Sequence, residues 1–120
     1  GYSVTLFAYG QTGSGKTYTI LGKDESINKQ EILSSQFAGL IPKTIKHLWS
    51  KIGNESKSGK VNFYIKCSFC EIYNENINDL LSPDSKGLNI RFSANQGFFV
   101  QGLLIIDCTT ADDMVEIILE

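Results

Sequence analysis

Gly10-Gln11-Thr12-Gly13-Ser14-Gly15-Lys16-Thr17 is the stretch whose residue types and spacing could do chemistry. It fits the pattern G-x-x-x-x-G-K-[ST], in which each position has a physical job. The glycines free the backbone so that successive N–H groups turn inward and cradle α- and β-phosphates. Lys16 reaches toward β- and γ-phosphates as a point charge, which makes it the candidate catalytic residue. The Thr17 hydroxyl is the candidate Mg²⁺ ligand, and a helix starting at this point adds its positive dipole end. These residues read as a nucleotide-phosphate site. A glycine-rich turn with an incidental lysine is the bland alternative, and the flanks argue against it.

Those flanks are the elements that must position the loop. Val4-Thr5-Leu6-Phe7-Ala8-Tyr9 is a β-branched and aromatic run, so residues 3–9 are expected as a buried strand feeding the loop. Thr17 to Leu21 carries no breaker until Gly22, which should end a short helix. Residues 23–38 are polar and irregular, about sixteen residues, longer than most connections in compact domains. Such a stretch is either functional or an exposed insertion. Gly39-Leu40-Ile41-Pro42 opens a second helix, with the proline in its first turn. Ile41, Ile45, Leu48 and Ile52 share a face beside Trp49, while Lys43, Lys46 and Lys51 lie off it. Gly53 is expected to stop this helix.

Further along, residues 54–60 read as a polar turn and Val61–Tyr73 as one long strand whose parity breaks at Glu71. Residues 76–81 read as a short turn or helix closed by Pro83. Leu88–Phe92 and Phe98–Val100 form an expected hairpin, and strand character resumes from Leu103 to Cys108. Thr110 then caps a last helix whose first turn holds Asp112 and Asp113.

Composition bounds the function classes. The chain has 120 residues, 42% of them hydrophobic, enough for a core and at most one domain. Its formal net charge of −2 provides no basic field for nucleic acid or a membrane surface. The apolar runs are too short to span a bilayer, and no signal-peptide pattern opens the chain. It starts in mid-pattern without a methionine, as an internal fragment would. Cys67-Ser68-Phe69-Cys70 has redox or metal spacing, yet it lies in an extended run where residues three apart face oppositely. With His47 the single histidine, no zinc set is completed, and His47 itself reads as a boundary residue. Asn54-Glu55-Ser56 has the spacing of a glycosylation acceptor, but nothing else suggests secretion. Glu71 and Glu75 could suggest acid–base work, but without a partner base they read as hydrogen-bonding groups.

Four segments, in order, resemble the kinesin motor domain. Gly1-Tyr2 through Thr5 to Thr19 is similar to that family's phosphate-loop segment, and Gly39-Leu40-Ile41-Pro42-Lys43 to its following helix. Ser68 to Glu75 with Ile77 and Asp79-Leu80-Leu81 resembles its signature strand and turn, and Phe99-Val100-Gln101-Gly102-Leu103 its later hairpin. The resemblance covers essentially the whole chain. It implies an α/β phosphate-loop NTPase fold, a central mixed sheet flanked by helices, present here in part over residues 1–120.

The function implied is ATP hydrolysis coupled to movement along microtubules, in the cytoplasm and on the cytoskeleton. Residue by residue, Gly10, Gln11, Thr12, Gly13, Ser14, Gly15, Lys16 and Thr17 would hold the ATP or ADP phosphates and Mg²⁺, with Tyr18 near the base. The hairpin around residues 91–98 would lie on the tubulin side, although its tip, Ser93-Ala94-Asn95-Gln96, lacks the basic residues often found there. Residues 23–38 would be the family's variable loop. Neither switch segment, the Asn-x-x-Ser-Ser-Arg-Ser-His type nor the Asp-x-x-Gly type, occurs in these residues. Assembly into a dimer or larger oligomer would use regions outside them. Two alternatives stay open at this point: a non-motor microtubule-binding relative with a decayed ATPase, and an unrelated phosphate-loop kinase.

Overall fold

The computed structural model describes residues 2–23, 32–57, 59 and 61–119, which belong to two compact units, Gly1–Val61 and Asn62–Glu120. The first unit opens with a segment of no regular secondary structure. Among the described residues it joins no ladder, and Phe7 and Tyr9 are 79% and 88% exposed. Their rings, two residues apart, sit 6.1 Å between centroids. The expected buried strand is therefore neither paired nor covered. Propensity alone does not make a strand; paired neighbours do.

The phosphate-loop segment follows and runs into α1 (Lys16–Ile20). Leu21 N–H closes the last turn on Thr17 O at 2.8 Å, and Gly22, at φ +110°, turns the chain away. The chain leaves at Lys23 and comes back at Phe37 and Ala38 to the same point. Gly39 N–H donates to Leu21 O at 3.0 Å, Lys23 N–H to Phe37 O at 3.3 Å, and Gly22 bridges Ala38. A Cβ on Gly39 would lie 2.5 Å from the Ile20 carbonyl carbon, and one on Gly22 would strike Phe37 O. Only glycines allow two backbones to approach so closely. The expectation for residues 23–38 is met at these two ends; residues 24–31 lie outside the described residues.

Helix α2 (Leu40–Ser56) carries Pro42 in its first turn, where the missing N–H breaks no helical bond. Its face packs in part as the spacing predicts, with Leu48 of the same stripe standing exposed at 36%. Ile45 and Pro42 are buried, and Ile41 and Ile52 are half-buried. Burying a side chain such as Ile45 contributes about 1.5–3 kcal/mol. Lys43, Lys46, His47 and Lys51 are exposed. Gly53 does not stop the helix, which continues three residues further. Its φ stays out of the left-handed region, and glycine in a helix interior costs only about 1 kcal/mol.

The second unit consists of three two-stranded antiparallel ladders and a helix. The expected single strand over 61–73 is two strands, β1 (Ile65–Cys67) and β2 (Cys70–Tyr73). Residues 76–79 are not a turn or helix but β3 (Asn76–Asp79), paired to β2 from Cys70↔Asp79 to Tyr73↔Asn76. The hairpin of β4 (Ile90–Ser93) and β5 (Gly97–Val100) forms where expected. Strand β6 (Ile106–Cys108) pairs with β1, and α3 (Ala111–Leu119) follows. Ile77, Cys108, Val115 and Ile117 are buried in this unit. Asp79 is buried too, at 3% exposure, and both its oxygens are used. Leu81 N–H donates to Oδ1 at 2.9 Å and Leu104 N–H to Oδ2 at 2.7 Å.

Candidate functional site

The candidate site is built from backbone. Gly10, Gly13 and Gly15 have φ of +148°, +81° and +88°, a region that side chains disfavour, while Ser14 between the last two has ordinary negative φ. Alternation of this kind makes successive N–H groups converge on one side, an anion-binding concavity. Ser14 N–H donates to Gln11 O at 3.1 Å and fixes the turn. Gly10 at the entry to the loop also has a φ at which a side chain would be strained. Gly15 is also the N-cap of α1, whose first turn is anchored by Thr19 N–H and Thr19 Oγ1, both donating to Gly15 O, at 2.9 and 3.0 Å.

Lys16 is the charge at this loop. Its Nζ donates to Gly10 O at 2.8 Å and to Gln11 O at 2.9 Å, which holds the ammonium across the loop mouth. Thr12, Gly13, Gly15, Lys16, Thr17 and Tyr18 line an open cavity of about 340 Å³. Of the nine residues singled out from sequence, these six face one space, and Gly10, Gln11 and Ser14 form the turn behind it. Tyr18 also borders a second cavity of about 320 Å³ on the side of Phe37, Leu40 and Lys43. Thr17 and Tyr18 are exposed.

This donor set fits a nucleotide polyphosphate with Mg²⁺. Backbone N–H groups and one ammonium suit phosphate oxygens, and Mg²⁺ characteristically takes one or two protein ligands with the rest from phosphate and water. No cluster of three or more His, Cys, Asp or Glu among the described residues could hold a metal by itself. No helix among them is long and apolar enough to cross a membrane.

The two carboxylates weighed for acid–base work stand elsewhere. Glu71 Oε1 accepts from Asn78 Nδ2 at 3.0 Å across the β2–β3 ladder, and Glu75 sits in the hairpin turn at φ +63°. Two features escaped the sequence reading. One is the Gly22–Gly39 contact that ties α1 to α2, for which two glycines flanking the irregular stretch were the available signal. The other is Asp79, whose burial no local pattern marks.

A model of the kinesin motor domain matches residues 1–120. Among curated relatives, the chain is 40% identical over 123 residues to kinesin-like protein KIN-12F of Oryza sativa subsp. japonica, covering 100% of this chain and 4% of that protein. It is 44% identical over 121 residues to kinesin-like protein KIF15 of Homo sapiens, covering 98% of this chain and 8% of that one. A solved structure described as that of a fast kinesin, with implications for ATPase mechanism and interactions with microtubules, superposes with a TM-score of 0.85 at 34% identity. That match covers 99% of this chain and 31% of the solved one. The chain thus spans a small part of these relatives, and the fold it shares with them is the kinesin-type phosphate-loop NTPase fold. With the loop, the helix behind it and the four resembling segments all in register, the chain belongs to the kinesin motor domain family.

Proposed function

We propose that residues 10–17 bind ATP with Mg²⁺, and that in the complete protein this binding drives movement along microtubules. The observation that carries the reading is the Lys16 clasp over a loop of left-handed glycines. Bound ATP with Mg²⁺ supplies the transferable phosphoryl group. The chain's residues bind and orient it. The N–H groups of the loop would take the phosphate oxygens, and Lys16 would exchange its two carbonyl partners for phosphate oxygens. Thr17 Oγ1 would be a ligand to the metal, and the exposed Tyr18 ring would lie near the base. Positioning of the attacking water belongs to switch segments that these residues do not include.

The printed descriptions of the relatives support the motor reading, as kinesin-like proteins and as a fast kinesin with an ATPase mechanism and microtubule interactions. By the same reading the protein works on microtubules in the cytoplasm and assembles through segments outside residues 1–120. The test is Lys16→Ala in the full-length protein, assayed for ATPase and microtubule gliding. Removing a charge placed where negative charge develops lowers turnover about 100-fold or more. Near-normal gliding in that variant overturns the assignment of Lys16.

A further inference from the structure

Two of the three cysteines share one face of one short ladder. In the β1–β6 register Cys67 stands opposite Ile106 and Cys108 opposite Ile65. Cys67 and Cys108 are therefore diagonal neighbours, and residues two apart on a strand point to the same side. The neighbouring Cys67 side chain acts on the Cys108 thiol, and Cys108 Sγ donates to Ile106 O at 3.8 Å. Burial, then the Cys67 thiol, Asp113 and Asp107 push the Cys108 thiol up to about 11. Cys108 is 5% exposed, Cys67 is half-buried, and Cys70 stands exposed on β2, outside this ladder.

We propose that Cys67 and Cys108 are a redox modification site, closing to a disulfide across β1 and β6 when a peroxide reaches the ladder. The more accessible Cys67 reacts first, as its thiolate. Its sulfur displaces hydroxide from hydrogen peroxide and becomes a sulfenic acid. Cys108 sulfur then attacks the Cys67 sulfur, and the sulfenic oxygen leaves as water with the thiol's proton. Two thiols and one peroxide yield one disulfide and two waters. Diagonal neighbours have Cα atoms about 7–8 Å apart, whereas a disulfide spans up to about 6.8 Å, so closure draws the strands together by on the order of 1 Å. Ladder strands of only three residues can accommodate that shift. The bond would fix the strand that delivers the chain into α3, which begins three residues after Cys108. The C-x-x-C spacing at 67–70 is not the redox unit. The cross-strand pair is.

The test treats the reduced, folded full-length protein with hydrogen peroxide, blocks remaining thiols and maps tryptic peptides without reduction. Lys66 and Lys86 bracket one peptide holding both Cys67 and Cys70, and Cys108 lies in the peptide starting at Phe92. The expected product is these two peptides joined, two hydrogens lighter than their sum and separated by a thiol reductant. Cys70→Ser should leave its yield unchanged, and Cys67→Ser should abolish it. In Cys108→Ser, which retains the accessible thiol, Cys67 should accumulate as a sulfenic acid captured by a dione probe. A link through Cys70, oxidation of Cys67 to sulfinic acid with Cys108 still a free thiol, or no cross-link in the folded wild type overturns the proposal.

Discussion

Lys16 and Asp113 are opposite charges used in the same manner, each gripping backbone at the start of a helix. Lys16 donates to the Gly10 and Gln11 carbonyls, whereas Asp113 accepts from Thr110 Oγ1 at 2.7 Å, Thr109 N–H at 2.7 Å, Thr110 N–H at 2.9 Å and Thr109 Oγ1 at 3.0 Å. Asp113 N–H returns a bond to Thr110 Oγ1 at 3.1 Å, which makes a reciprocal capping box. The Thr110 hydroxyl first, then the two N–H groups and the Thr109 hydroxyl, hold the Asp113 carboxyl far below the usual carboxylate range. A depressed folded-state value stabilises the fold above the ordinary carboxylate value and loses that contribution as pH falls through the folded one. Amide exchange in α3, corrected for intrinsic rates, should therefore show constant protection from pH 5 to 8 in the full-length protein. Protection falls only in strongly acid solution, and Asp113→Asn removes that dependence. Thr110→Ala should cost about 1 kcal/mol, read as roughly fivefold faster exchange in the first turns of α3. That cap was legible as Thr-x-x-Asp before an apolar run. The Lys16 clasp was not, because a carbonyl acceptor has no sequence signature.

At the scale of elements, the β2–β3 hairpin turns through Asn74 and Glu75, both at positive φ, 48° and 63°. This is the conformation of a type I′ turn, for which Asn-Gly is the preferred pair. A glutamate there costs about 1–2 kcal/mol in backbone strain, while glycine forfeits roughly 0.5–1 in unfolded-state entropy. Glu75→Gly should thus stabilise the hairpin by about 0.5–1 kcal/mol, seen as a higher denaturant midpoint for the full-length protein. The absence of glycine explains why β3 was misread from sequence. Asn76-Ile77-Asn78-Asp79 is a poor strand by composition, and only its pairing with β2 makes it one. The division of residues 61–73 has a similar cause. β1 takes its partner thirty-nine or more residues away in β6, while β2 pairs locally, and one apolar run cannot reveal two partners. Helices fared better, since α2 and α3 follow from periodicity and caps that act within a few residues.

For the whole molecule, the proposed phosphate-binding function is local, and the hydrolysis proposed for the complete protein is not. Loop, lysine and α1 lie within eleven residues of one another, and that closeness is why the candidate site could be read from sequence. The sheet is different. Phe7, Tyr9, Ile72, Tyr73 and Phe98 are exposed, and the strands are paired only two by two among the described residues. Large exposed apolar faces and open edges favour aggregation. The 120 residues expressed alone should be poorly soluble and show no microtubule-stimulated phosphate release above buffer. A clear stimulated rate would mean that catalytic groups lie here after all, with Glu71 and Glu75 the first to test by substitution.

The two-glycine contact between α1 and α2 has a practical corollary. Gly22 and Gly39 bring the end of α1 and the start of α2 together through backbone alone, so the junction is a hinge pin with no side chain that could yield. Gly39→Ala would wedge it apart, since the added methyl meets the Ile20 and Leu21 carbonyls. That one methyl should lower nucleotide affinity although Gly39 lies outside the phosphate loop. Titration of the full-length variant with a fluorescent nucleotide would show it, and an unchanged affinity would mean that the loop and α1 hold their geometry without the junction.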